Sequence, residues 1–359
     1  MGSDFHMTRR GFLRTGALAA GAFAIFPELD ADEVPAEQVI DTHIHLYDPA
    51  RPEGIPWPPK DDSVLYSSHL PADFEALTGK LGVVGAVVVE AVAGPADNQW
   101  VLDLAEENPI IVGYIGRLTP GTPNTVAFAE KRRAGALARF RLQDGRGRPS
   151  SLKATVLPGT PGFSEHLGSY SGSSIFRGLR LSQPMLAQGL GQPAFEKDLR
   201  QLEERKLTLD VVGGEAMLPD VLRIAKSLPG LRVVIDHLPF QEWDTATVSP
   251  ALGELARLPN VFGKVSHVGR RVDGRLVSDP GYYRPRLDLL WELFGDDRLI
   301  YGSNWPVSDR IAPYADILKI MRDYLRGRDR TVSEKYFWRN SLAAYSWQPR
   351  GRAAGLVKA

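Results

Sequence analysis

The sequence predicts a single (β/α)8 barrel, and three observations carry that expectation. Short β-branched runs alternate with segments of helical period, as a parallel sheet with crossover helices requires. Eight such runs follow residue 38, and seven of them end in a group able to ligate, charge or hydrogen-bond, at the end where a barrel collects its active site. One barrel of roughly 250 residues plus insertions accounts for the 359-residue length without a second domain. With 43% hydrophobic and 24% charged residues, the chain is globular and can bury a large core.

The runs can be taken in order. The first, residues 39–46, contains Asp41-Thr42-His43-Ile44-His45. Side chains alternate faces along a strand, so His43 and His45 point the same way. Such a pair can grip one metal ion, polarise one carbonyl, or simply be two satisfied core histidines. The second run, 83–90, ends in Glu90 after three valines, a carboxylate costly to bury unless it meets a cation, a metal or a proton. The third spans 110–118. Arg180 lies in the fourth (176–181) and Asp210 in the fifth (208–212), and the two could equally form a structural ion pair. The sixth, 232–238, closes with Asp236-His237. The seventh, 261–268, supplies Lys264, Ser266 and His267, and the eighth, 298–303, leads into Asn304-Trp305. Lys264 could instead snorkel to solvent and His267 could be an exposed loop residue.

Helices are expected at 194–207 and 314–325 between the strands. An amphipathic helix is expected at 333–347, where Tyr336, Phe337, Trp338, Tyr345 and Trp347 read as core packing. Two insertions stand out. Residues 48–71 are Pro-rich, carry Trp57, Tyr66 and His69, and follow strand one directly, which puts them on the catalytic face as a substrate lid or a Pro-stiffened loop. Residues 143–174 are rich in Gly, Ser and Pro and show no clear period, and are expected as a long loop after strand three.

Composition excludes several classes of function. Lys+Arg and Asp+Glu balance at 43 each, so no global field steers the chain to nucleic acid or an acidic membrane. The absence of Cys removes disulfides, thiolate nucleophiles and Cys-ligated zinc. At the N-terminus, Arg9-Arg10-Gly11-Phe12-Leu13 precedes the short Ala/Gly-rich run 16–26, the order of a twin-arginine export signal. Ala22-Phe23-Ala24 offers the cleavage site. The expected organisation is a signal peptide at 1–24, with 1–6 a cloning remnant, a linker at 25–38 and a barrel at 39–350. That implies a periplasmic or secreted protein with no membrane attachment once the signal is removed.

The runs 39–45, 176–180, 233–238 and 263–266, with Tyr301-Gly302-Ser303-Asn304-Trp305-Pro306-Val307, resemble the amidohydrolase-2 branch of the amidohydrolase superfamily. The similarity is greatest to the lactonase group that includes 2-pyrone-4,6-dicarboxylate lactonase and sugar-lactone hydrolases. The resemblance implies a TIM barrel that hydrolyses a lactone or similar cyclic ester. It implies His43, His45, Glu90 and His237 as the group that polarises the carbonyl, either holding a divalent ion such as zinc or manganese or acting without metal. Arg180 and Lys264 would bind carbonyl or anionic oxygens, with Trp57 and Trp305 beside them. The partner is a small-molecule substrate, and a homo-oligomer is compatible with the resemblance.

One departure matters. The family's strand-eight Asp, its expected general base or metal ligand, is Asn304 here, and an amide cannot accept a proton near neutral pH. Either Glu90, His237 or His267 takes over water activation, or the position is an engineered replacement, or the chain is a binding pseudoenzyme. The first is preferred, because His267 stands where relatives usually have a small residue. A non-oxidative decarboxylase of the same superfamily is the other enzymatic alternative.

Overall fold

The computed structural model describes residues 37–52, 54–91, 95–118, 162–237 and 248–358. The expected signal peptide, most of the linker and residues 143–161 of the second insertion lie outside the described residues.

The barrel strands are β1 (Val39–Ile44), β2 (Val83–Val89), β3 (Ile111–Gly116), β4 (Phe176–Ser182), β5 (Thr208–Val212), β6 (Arg232–Ile235) and β7 (Val261–Val265). They are completed, after a short hairpin of β8 (Arg271–Val272) and β9 (Arg275–Leu276), by β10 (Leu299–Tyr301). The eight long-range strands run parallel in the order β1-β2-β3-β4-β5-β6-β7-β10. The ring is drawn together at its C-terminal rim: His45 N donates to Trp305 O (2.8 Å), Asn304 N donates to His43 O (2.9 Å), and the Thr42 hydroxyl donates to Tyr301 O. All eight expected strands form. Those carrying the polar ends are shorter than the apolar pattern suggests, because His237, His267 and Asn304 adopt φ of +60°, +60° and +66° and leave the ladder. The β8–β9 hairpin is not legible in the periodicity.

Apolar side chains sort into two layers. One lies between the strands and the surrounding helices, where Leu199, Val221, Leu287 and Ile320 pack on outward-facing valines and leucines. The other fills the interior, where Ile40, Val87, Val112, Val234, Phe262 and Ile300 meet Tyr345 and Trp347 from the C-terminal segment. Fully burying such side chains stabilises by about 1.5–3 kcal/mol each. Helices form at Pro193–Glu204 and Tyr314–Leu325. The C-terminal segment is helical through Arg330–Glu334, a π turn at Lys335–Arg339 and Asn340–Tyr345, with Tyr336, Phe337, Tyr345 and Trp347 buried and Trp338 partly so.

The end of the second insertion is not a loop: Phe163–Ser171 is a helix that buries Phe163, Leu167 and Tyr170 at spacings of four and three. Gly168 and the flanking serines mask that period in the sequence. In β1 the pairing register shifts between Asp41 and Ile44, which lets Ile40 join the interior layer while His43 and His45 also face inward further along. Gly302 is required beside this shift, since a Cβ there would lie 2.8 Å from the His43 Cβ.

Candidate active site

Five side chains close a ring at the C-terminal mouth of the barrel. The His43 imidazole lies 5.0 Å from that of His45 and 4.5 Å from that of His237, and His237 lies 6.0 Å from His267, centroid to centroid. Asn304 completes the circuit, with its side-chain Nδ2 3.1 Å from His267 Nδ1. Three of the five, His237, His267 and Asn304, hold left-handed backbone conformations at three strand ends. Such strain costs on the order of 1–3 kcal/mol per residue and persists where the surroundings over-determine it, commonly at functional sites.

Beneath the ring lies a buried charge cluster. Lys264 has no exposed surface, and its Nζ donates to Asp210 Oδ2 at 2.8 Å and to His43 Nδ1 at 3.3 Å. It also lies 2.7 Å from Asp236 Oδ1, an ion-pair contact whose angle leaves both Asp236 oxygens without a formed hydrogen bond among the described residues. Burial works to raise the Asp236 carboxyl, but Lys264 and His43 outweigh it and hold it well below the usual range. Burial pushes Asp210 up to about 7, with Lys264 offsetting only part. The Tyr345 hydroxyl donates to Asp210 Oδ2 (3.0 Å) from the barrel floor.

The hydrogen bonds assign the ring protons. An ammonium only donates, so His43 Nδ1 accepts from Lys264 and the His43 proton sits on Nε2. That Nε2 is buried and has no partner among the described residues. Burial, partly opposed by Asp236, holds His43 well below its ordinary range, so it stays a neutral donor. Val89 O only accepts, so His45 Nδ1, 3.0 Å away, carries the His45 proton. Burial and Arg180 depress His45 to about 3, and burial depresses His237 to about 3, its Nδ1 lying 2.9 Å from Ser266 Oγ. His267 is lowered too, by burial and then Arg270.

Glu90 is placed differently from the expected ligand group. Its carboxylate receives Arg180 Nε at 2.8 Å and lies 3.7 Å from Arg117 NH1, while its carbonyl receives Arg180 NH2 at 2.9 Å. Two guanidiniums therefore answer the burial cost that made this residue conspicuous. The quartet His43, His45, Glu90 and His237 consequently does not assemble as a ligand set, and among the described residues no group of three or more His, Asp or Glu is spaced to hold a metal ion. The donors do not fit a divalent ion on their own chemistry either. His43 Nδ1 and Asp236 already face the Lys264 ammonium, and the Glu90 carboxylate faces the Arg180 and Arg117 guanidiniums.

Of the remaining expected residues, Arg180 reaches the ring side, with NH1 3.9 Å from Asp236 Oδ2. Trp57 arches over from the first insertion, 5.9 Å from His45 and 5.5 Å from Tyr47. Lys264 and Trp305 are both buried. Lys264 reaches the mouth through His43, and the Trp305 ring is packed between His69 (5.2 Å) and Phe74 (5.4 Å) while its carbonyl ties down His45. Sequence reading passed over Arg117 and gave Asp236 no role. Their position at the ends of β3 and β6 was the available signal, since charged groups there face the mouth.

Comparison with known proteins agrees with this architecture. The family model described as amidohydrolase matches residues 40–347. An L-fucono-1,5-lactonase of Burkholderia ambifaria is 27% identical over 282 residues, 77% of this chain and 83% of that protein. An L-rhamnono-gamma-lactonase of Scheffersomyces stipitis is 24% identical over 350 residues, 86% of this chain and 98% of that protein. The crystal structure of an amidohydrolase from Burkholderia multivorans with bound zinc shares the fold, with a TM-score of 0.64 at 21% identity, covering 86% of this chain and 99% of that one. With a parallel eight-stranded barrel, a histidine ring at its C-terminal mouth and a family match spanning nearly all of the barrel, this chain belongs to the amidohydrolase family.

Proposed function

We propose that this protein hydrolyses the ring ester of a neutral lactone of the sugar-lactone kind. The observation that carries the reading is His43 Nε2, a proton-bearing donor buried at the mouth with no partner among the described residues. A buried unsatisfied donor is costly unless a ligand oxygen completes it, and a neutral imidazole fixed from behind suits the oxygen of a polarised carbonyl. Arg180, held by Glu90, supplies a second donor group beside it. As water adds to the carbonyl carbon, charge develops on that oxygen, and these preorganised donors stabilise it without reorganising. Lys264 acts through His43: by donating to Nδ1 it keeps the proton on Nε2.

The charges of the site support an uncharged substrate. Arg117, Arg180 and Lys264 face Glu90, Asp210 and Asp236, three against three, so none of these cations is left to neutralise a substrate carboxylate. That favours a sugar lactone over an aromatic acid bound for decarboxylation, and the two lactonases similar to this chain point the same way. The carboxylates of the site already face cations, so the hydrolysis proposed for it relies on side-chain donors. Arg9-Arg10 and the apolar run behind it support export by the twin-arginine route, which cell fractionation tests.

The direct test is proton release by the purified protein with L-fucono-1,5-lactone, L-rhamnono-γ-lactone and aromatic lactones, alongside carbon dioxide release from aromatic acids. Turnover of a neutral lactone is expected. Silence with every lactone, or carbon dioxide release without ring opening, refutes the reading.

A further inference from the structure

We infer that His267 presents a fixed N–H, at Nε2, to a hydroxyl of the bound lactone, and that the Asn304 amide is the positioning residue that fixes it there. The inference deepens the lactone-hydrolase reading and rests on it for the substrate, while the hydrogen bond behind it stands on its own geometry.

The contact that carries it runs from Asn304 Nδ2 to His267 Nδ1, at 3.1 Å. An amide nitrogen only donates, so the ring nitrogen that faces it must accept. The hydrogen bond made at one nitrogen of an imidazole decides which nitrogen keeps the proton. Here Nδ1 is the lone pair, and the single proton of the neutral ring sits on Nε2, at the edge of the imidazole turned away from Asn304. Both residues are held where this bond needs them. Asn304 is buried, and its backbone N donates to His43 O at 2.9 Å. Arg270 NH1 donates to the His267 carbonyl, also at 2.9 Å. The left-handed backbone of each, with φ of +60° and +66°, brings the two side chains together across the β7 and β10 ends, and such strain persists where the surroundings over-determine it.

Among the described residues nothing accepts from His267 Nε2, and the ring is partly exposed at the mouth. His43 and His267 are both neighbours of His237, at 4.5 and 6.0 Å between ring centroids, so their two N–H groups address the same mouth. A sugar lactone offers three kinds of oxygen to such donors. Its carbonyl oxygen is met by His43 Nε2–H with Arg180 beside it. Its ring oxygen shares a lone pair with the ester and accepts weakly. Its hydroxyls accept well and are what remains for His267. An uncharged N–H suits a hydroxyl better than a carboxylate, in keeping with a site whose charges already balance. A neutral imidazole does not give up its second proton near neutral pH, so this N–H binds substrate and does not protonate a leaving group.

The side chain at position 304 decides this behaviour. A carboxylate there, as in the family's strand-eight motif, could only accept and would draw the His267 proton to Nδ1. The amide reverses the direction of the bond, and His267 Nε2 becomes a donor where it would have been a lone pair. That removes His267 from the groups able to activate water and makes it the residue that tells a hydroxylated lactone from a bare one.

Two measurements test it on the full chain. The first is the 15N spectrum of the histidine side chains in the unliganded protein, which reads tautomers directly. His267 should be protonated at Nε2 and bare at Nδ1, and Asn304→Asp should move the proton to Nδ1. An Nδ1–H signature for His267 in the unaltered protein overturns the inference. The second compares L-fucono-1,5-lactone with δ-valerolactone, which has a ring ester and no hydroxyl. His267→Phe keeps a flat ring and cannot donate. It should lower kcat/KM for L-fucono-1,5-lactone by about 3- to 10-fold, mainly through KM, the effect of losing one neutral hydrogen bond, and change that for δ-valerolactone by less than about twofold. Where a lactone binds without turnover, its inhibition constant is compared instead. Equal losses on the two lactones, or no loss on either, overturn the inference. If the unaltered protein turns over no lactone, the proposed function fails, while the 15N spectrum still decides which His267 nitrogen carries the proton.

Discussion

Replacing Lys264 by Met removes the cation at the centre of the site while keeping a side chain of similar length. In the folded protein Lys264 has no exposed surface and faces Asp210 at 2.8 Å and Asp236 at 2.7 Å, both carboxylates fully buried as well. Taking one partner from a buried ion pair leaves an uncompensated charge and costs about 3–5 kcal/mol. The two carboxylates do not share that loss equally. Asp210 is already pushed up to about 7 by burial and takes a proton near neutrality, whereas Asp236 is held low against its burial by Lys264 first of all and loses that support. In the variant both folded-state carboxyls titrate above their unfolded value. The destabilisation is then present at high pH and relieved as pH falls through those raised values. Urea unfolding followed by tryptophan fluorescence should therefore show a loss of about 3–5 kcal/mol at pH 8 and a clearly smaller one at pH 5. Adding Asp236→Asn to Lys264→Met should recover part of the loss at pH 8. A loss below about 1 kcal/mol at pH 8, or one equal at both pH values, would refute the claim that Lys264 is the cation holding these carboxylates.

Three further outcomes follow from the same geometry. His43→Gln should lower kcat/KM for a lactone by about 10²–10³-fold, the effect of losing one oxyanion donor, with circular dichroism unchanged; retained activity would remove His43 from the reaction. Asp210→Asn should flatten the pH dependence of stability between about 4 and 7. In the unaltered protein the folded state binds the extra proton there, so stability falls as pH rises, by up to about 1.4 kcal/mol per pH unit for one group; Asp41, pushed up to about 6 by burial, leaves a residual slope. Dialysis against a chelator should leave turnover within about twofold, because Lys264, Arg117 and Arg180 already supply the positive charges facing the acidic groups of the site; a loss reversed by added zinc or manganese would refute that.

Much of the barrel was legible because it is written in short-range pattern. Short β-branched apolar runs mark each of the eight strands, and His43 and His45 share a face because side chains alternate along a strand. Even there the interior side of β1 depends on the register shift between Asp41 and Ile44, which no alternation shows. The helix Phe163–Ser171 was hidden because its three buried residues are interleaved with Gly and Ser.

The site divides along the same line. Sequence alone established that histidines, carboxylates and basic residues gather at strand ends and that Asn304 replaces an acid, since position along a strand determines which end of a barrel a side chain reaches. Which of those groups meet was decided by the tertiary structure. Glu90 meets Arg180 ninety positions away instead of joining the histidines, Lys264 turns down between Asp210 and Asp236, and Asn304 meets His267. The reason is physical: a buried charge must find its counter-charge among the neighbours that strand stagger and left-handed strand ends deliver, and neither is encoded in the local period of the chain.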